Sequence, residues 1–113
     1  MAPTIEFFTD NFGAEFVCKK RFGKAEGAML DLGGTTVNLR LALADEKLAD
    51  HATEKPLGYH HIGIRVEDVD AMHRSLADKG FSFPTPPTDI EGYRVAFVEG
   101  PEHLIVEMME ATG

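Results

Sequence analysis

The feature that most limits what this chain can fold into is an internal repeat. Gly13 and Gly80 each close a helix-like stretch and lie 67 residues apart. Phe16 and Phe83 follow three residues beyond each glycine, and Gly33 and Gly100 each close the next apolar strand, both pairs again at a separation of 67. Asn38 and Glu107 sit mid-strand 69 apart, which requires a two-residue insertion in the second turn. A spacing kept across helix, strand and turn marks a duplicated supersecondary unit. The second unit reads strand-helix-strand-strand-strand. The first has everything except the opening strand, and the counterpart of His61 falls before the chain begins.

Local patterns place the elements. Ile5, Phe8 and Phe12 form one helical stripe over Pro3 to Phe12, with Thr4 as the expected N-cap and Gly13 at the C′ position. Strands are expected over Glu15–Phe22, Ala28–Leu32 and Thr35–Leu43, the last alternating Val37, Leu39, Leu41 and Leu43 against Thr36, Asn38 and Arg40. Ala44 to Ala52 reads as a short helix and Thr53 to Gly58 as a linker. Tyr59 to Val66 reads as a strand, and Asp68 as the N-cap of a helix that Gly80 ends, with Val69, Met72 and Leu76 on its buried stripe. Phe81–Phe83 starts a strand, Pro84–Pro87 reads as an extended loop, and Tyr93–Val98 and Leu104–Met109 close the unit. The chain is thus read as one domain, with module 1 over 1–44, a linker over 45–57 and module 2 over 58–113.

Composition narrows the class. A chain of 113 residues buries roughly two-thirds of its unfolded surface and needs no covalent staples. The single Cys18 excludes an internal disulfide and fits a reducing, cytoplasmic setting. No apolar run approaches the roughly 20 residues of a membrane span, and the start lacks the basic and apolar regions of a signal peptide. A net charge of −8 disfavours nucleic acid and anionic membranes as partners. A small anionic ligand held by a few local cations stays open.

Two side chains stand out chemically. Alternation along Tyr59–Val66 puts His60 with Ile62 and Ile64, and His61 with Gly63 and Arg65. Glu107 interrupts the apolar run Leu104–Met109, where an acid is costly unless solvated, paired or bound to a cation. Imidazole and carboxylate together are common ligands of a divalent ion. Each also has a plain reading, His61 as a hydrogen-bonded strand residue and Glu107 as a solvated one. Glu110 reads as surface, His51, His73 and His103 as exposed, Lys19-Lys20-Arg21 as protection of a strand edge, and Cys18 as a buried apolar filler.

HHIGIRVEDVDAMHRSLADKGFSF followed by YRVAFVEGPEHLIVEM resembles the second module of the vicinal oxygen chelate proteins, the glyoxalase / bleomycin resistance / dioxygenase superfamily. IEFFTDNFGAEFV and AMLDLGGTTVNLRLA resemble the first module. The resemblance implies an α+β fold of paired βαβββ modules, a curved, open mixed sheet with helices outside, here lacking the first strand of module 1. It implies a divalent metal (Zn, Ni, Co, Mn or Fe) with His61 and Glu107 as ligands and Asn38 at the position where Glu or Gln is usual. The shorter, neutral Asn38 and the missing first-strand His weaken that ligand set.

Two functions follow. One is a metal-assisted lyase or isomerase, glyoxalase-like or acyl-CoA-epimerase-like, acting beside a substrate carbonyl through an enediolate or enolate. There Glu107 is ligand and proton carrier, Glu26 a further candidate base, and Arg40 and Arg65 hold an anionic substrate. The alternative is a metal-free small-molecule-binding protein whose cleft is lined by Tyr93, Phe97 and the face of His61. Family analogy adds a homodimer.

Overall fold

A computed structural model describes residues 1–49 and 57–112. The chain divides into two compact units, Met1–Leu48 and Ala49–Gly113. The first holds helix α1 (Ala2–Phe12) and strands β1 (Glu15–Phe22), β2 (Ala25–Leu32) and β3 (Thr35–Arg40). The second holds β4 (Ile62–Arg65), α2 (Val69–Asp78), β5 (Ser82–Ile90), β6 (Tyr93–Glu99) and β7 (Ile105–Ala111). Each unit carries its own sheet, in the order β1-β2-β3 and β4-β7-β6-β5.

The repeat is visible in this order. Moving α1, β1 and β2 by 67 residues lands on α2, β5 and β6, and moving β3 by 69 lands on β7. Only β4, parallel to β7, has no counterpart among the described residues of the first unit. The two inserted residues form part of a short 3-10 turn over Pro101–His103, where Glu102 and His103 both take left-handed backbone with φ of 56° and 63°. Such backbone is uncommon for residues with a side chain. Gly13 and Gly80 both adopt positive φ, 67° and 92°, as the ends of α1 and α2 require.

In the first unit, Phe7 and Phe8 are buried with Ala28 and Leu30 of β2 in the core, while Ile5 and Phe12 are half-buried. The expected stripe therefore omitted Phe7, whose ring meets those of Phe8 and Phe12 edge-on. The cap of α1 is Met1 rather than Thr4. Pro3 is accommodated in the first turn because no intrahelical partner is needed there for the amide it lacks.

The edge strand β1 is exposed along Glu15–Arg21, so Cys18 is not the buried filler expected from composition. A bulge between Phe16 and Cys18 breaks its register with β2. Lys19, Lys20 and Arg21 lie on that outer strand, where cations discourage edge-to-edge pairing.

The expected helix over Ala44–Ala52 does not form in its described part. Ala44 and Asp45 make a turn, and Glu46 accepts from the Leu43 amide and the Arg40 guanidinium instead of entering a helical ladder. His51 and most of the expected linker lie outside the described residues.

The second unit packs α2 on one face of its sheet, burying Val69 and Leu76 with Ala96, Val98, Val106 and Met108. Asp68 caps α2 as expected, its Oδ1 accepting from the Ala71 amide at 3.0 Å. A second acceptor comes from far along the chain, since Glu110 Oε1 takes the Val69 amide at 2.8 Å. Glu110 is thus a half-buried cap rather than plain surface. Arg94 of β6 grips Asp70 through two bonds of 2.9 and 3.0 Å. His73 is also half-buried, its ring edge-on to Phe83 at 4.5 Å.

The Pro84–Pro87 segment is strand, not loop. β5 is an edge strand paired only with β6, and its register shifts on both sides of Thr85. Pro84, Pro86 and Pro87 fall in those shifts, where a missing amide removes no ladder bond.

Candidate functional site

The candidate residues of the second unit gather on the face of its sheet away from α2. Glu107 of β7 is the register partner of both Gly63 of β4 and Phe97 of β6, so the three form one row across three strands. Arg65, Met109 and Val95 form the next row, and Tyr93 lies beyond it opposite Ala111. Alternation puts the helix-facing Val106 and Met108 on the other side. Of the two acids of β7, Glu110 caps α2, whereas Glu107 lies on the face away from that helix.

His61 stands one residue before the β4 ladder, which is shorter than the Tyr59–Val66 strand expected. Its Nε2 reaches across Gly63 to Glu107 Oε1 at 3.3 Å. The imidazole is also edge-on to Phe97, with ring centres 5.0 Å apart. The side chains are 33% and 20% exposed for His61 and Glu107, so the pair is open to a ligand yet partly shielded from water. Gly63 keeps the row uncrowded, because a Cβ there would come within 3.2 Å of the Met109 methyl and 3.9 Å of Glu107 Oε1.

His60 is exposed and does not join the aliphatic side. Its Nδ1 lies 2.9 Å from His61 Nδ1, and the two rings are perpendicular. Strand alternation fails here because neither histidine is inside the ladder. The His-His dipeptide was the only sequence signal for this contact.

The remaining candidates belong to the first unit. Asn38 is exposed on β3, paired in register with Met29, and shares its sheet face with Arg40. Arg40 is held by Glu46 through two bonds of 2.7 Å. The bonds from Arg40, then the Leu43 amide, hold the Glu46 carboxyl down at about 2, and the same pairing raises Arg40. Glu26 is exposed within β2, which begins earlier than expected, at Ala25. Being adjacent to Gly27, the partner of Arg40, it faces the opposite side of that sheet.

Two ligands about 2.05 Å from a tetrahedral ion lie roughly 3.3 Å apart, so the spacing of His61 Nε2 and Glu107 Oε1 suits two donors sharing one ion. Among the described residues, however, no group of three or more His, Cys, Asp or Glu side chains could hold a metal. The pair is a partial donor set. Without an ion it is an acid–base pair, a carboxylate facing an imidazole nitrogen.

The sequence profile of the Glyoxalase/Bleomycin resistance protein/Dioxygenase superfamily matches residues 1–108. The chain belongs to that superfamily. Among solved structures it is similar to a glyoxalase family protein from Bacillus cereus, with 24% identity and a TM-score of 0.82 over 100% of this chain and 87% of that one. A glyoxylase/bleomycin resistance protein/dioxygenase domain from Frankia sp. EAN1pec gives 20% identity and 0.80 over 99% and 89%. A V278E mutant of glyoxalase I from Zea mays gives 21% and 0.76, with 99% of this chain covering 41% of that one. No protein of curated function matches in sequence. These likenesses establish the α+β fold of βαβββ type. No helix among the described residues is long and apolar enough to cross a membrane.

Proposed function

We propose that the chain is a lyase or isomerase that moves a proton beside the carbonyl of a small substrate, working on the His61–Glu107 face of the second unit. The observation that supports this most is the 3.3 Å approach of His61 Nε2 to Glu107 Oε1 beside the Phe97 ring. A carboxylate placed on a partly dry face can take a proton from carbon, and an imidazole in contact with it can stabilise the acid so formed. Phe97 supplies an apolar wall, Tyr93 extends the same face, and Arg65 offers a guanidinium to an anionic group.

A divalent ion bound here would be held by His61 and Glu107 and would supply Lewis-acid stabilisation of an enediolate or enolate. Two donors are fewer than the three protein ligands of catalytic zinc sites, so no step is assigned to an ion. The short donor set favours the second reading, a metal-free protein that binds a small molecule without turning it over. Pairing with a second copy belongs to either reading, supported by Phe16 and Val17, 48% and 53% exposed on the edge strand β1.

Exchange of substrate C–H for deuterium separates the readings. The wild-type chain is mixed in D2O with a 2-oxoaldehyde–thiol hemithioacetal or a 2-branched acyl thioester. The measurement is made after chelation and after adding Zn²⁺ or Ni²⁺. Catalysed exchange of either substrate class supports the lyase or isomerase. Saturable binding with no exchange under any condition supports the binding protein and overturns the first reading.

A further inference from the structure

We propose that Glu99 and His103 form a second ligand-contacting pair on the face that holds Glu107, and that Glu99 accepts a hydrogen bond from the far end of the substrate. The substrate class this selects carries a hydroxyl, amide or ammonium donor two strand positions, roughly 7 Å, from the carbon acted on. The proposal rests on the reading of the His61–Glu107 face as the ligand face, and its test reads binding rather than turnover.

Strand pairing puts Glu99 on that face. Phe97 pairs with Glu107 and Glu99 with Ile105, so Glu99 stands one row beyond the Phe97–Glu107 row. Arg94, at an alternate position of the same strand, turns to Asp70 of α2 on the other side. His103 Nδ1 lies 3.6 Å from Glu99 Oε1, with the two side chains 41% and 30% exposed. A carboxylate offers about four lone-pair positions, so one oxygen can meet His103 while the other meets a ligand. Phe97 neighbours both acids, Glu99 along β6 and Glu107 across to β7. The apolar stretch of a ligand between its donor and its reacting carbon therefore has a ring to lie on.

The turn that carries His103 holds a strain that a turn alone does not need. Glu102 and His103 both take left-handed backbone, with φ of 56° and 63°, and the Leu104 amide donates to the Pro101 carbonyl across them at 3.1 Å. Residues with a Cβ disfavour that conformation, whereas glycine adopts it freely. The corresponding hairpin of the first unit has the unstrained solution. Gly33 and Gly34 take φ of 66° and 96°, and Asp31 Oδ1 accepts from the Gly34 amide at 2.8 Å. In the second unit the acid near the turn meets an imidazole instead of a glycine amide. Backbone strain of this kind gathers where a side chain is needed for function. The side chain it brings to the sheet here is His103, which braces Glu99 from the turn.

The test uses two stable ketones that differ in a single donor, 1-(2-hydroxyethylthio)propan-2-one and its methyl ether, each titrated into the full chain by calorimetry. Wild type should bind the hydroxyl compound about tenfold or more tightly than the ether, the scale of one hydrogen bond to a charged group. Glu99→Leu should bring the two affinities within about twofold, by weakening the hydroxyl compound alone. His103→Gly should lose most of the preference and yet unfold at higher urea than wild type, because glycine fits the left-handed turn and the exposed pair it gives up is worth little to stability. Backbone spectra check that each variant is folded. Equal affinities in wild type, no binding of either compound, or an unchanged preference in a folded Glu99→Leu chain overturns the proposal. A His103→Gly chain that is less stable than wild type, or that keeps the full preference, overturns the part assigned to His103. If the preference behaves as expected but wild type exchanges hydrogen in neither substrate class, the lyase or isomerase reading fails and the Glu99 contact stands.

Discussion

At the scale of single residues, the start of α2 concentrates several contacts within three positions. Asp68 caps the Ala71 amide, Glu110 caps the Val69 amide, and Asp70 is gripped by Arg94. Asp68→Ala should lower stability by about 1 kcal/mol, read by urea unfolding. Asp70 also gives the chain a pH signature. The bonds from Arg94 hold its carboxyl below the ordinary range, against a smaller opposing effect of burial and with help from the Arg94 charge. A carboxylate depressed on folding stabilises the native state above its unfolded pKa of about 3.9, and that contribution fades as pH falls through the lower folded value. Asp70→Asn should therefore be less stable than wild type near neutrality, with the gap closing below about pH 4. An unfolding series from pH 7 to pH 3 checks this, and a constant gap would contradict it. Of these contacts only the Asp68 cap was readable from sequence, because it joins residues three apart. Glu110 meets its amide across 41 residues of chain, and nothing local announces that.

The elements show where the limit of sequence reading lies. α2 was legible because its cap, apolar stripe and terminal glycine agree, and Leu76 and Val69 are indeed fully buried. Leu76→Ala should cost about 2–5 kcal/mol in chemical unfolding, the range for a truncated aliphatic core residue. β5 was not legible because proline forbids a central strand, and only the sheet order reveals that this strand is at an edge. The helix expected after β3 was outcompeted by Glu46, whose carboxylate closes a loop on Arg40 and the Leu43 amide. At the site, alternation grouped His61 with Gly63 and Arg65, the family resemblance paired it with Glu107, and the structure brings those two side chains into contact. The same alternation misplaced His60, because β4 begins only at Ile62 and a period of two has no force outside the ladder.

The whole molecule is a duplication read twice, once in spacing and once in strand order. Membership of the superfamily follows from residues 1–108, and the fold from the same likeness. In the function proposed above, what the chain does with that fold depends on Glu107 of β7 and the histidine in contact with it. If an ion uses the pair, wild-type protein dialysed against Zn²⁺ should retain it, and His61→Ala and Glu107→Gln should each lose it, as metal analysis would show. Retention unchanged in both variants would assign the ion elsewhere. The central claim concerns proton movement rather than the ion, and solvent-deuterium exchange at the substrate carbon tests it most directly. Glu107→Gln, which keeps the shape of the side chain but removes its basic oxygen, should slow catalysed exchange by about 10²-fold or more while the protein stays folded. Exchange at the wild-type rate in a folded Glu107→Gln chain would contradict the account.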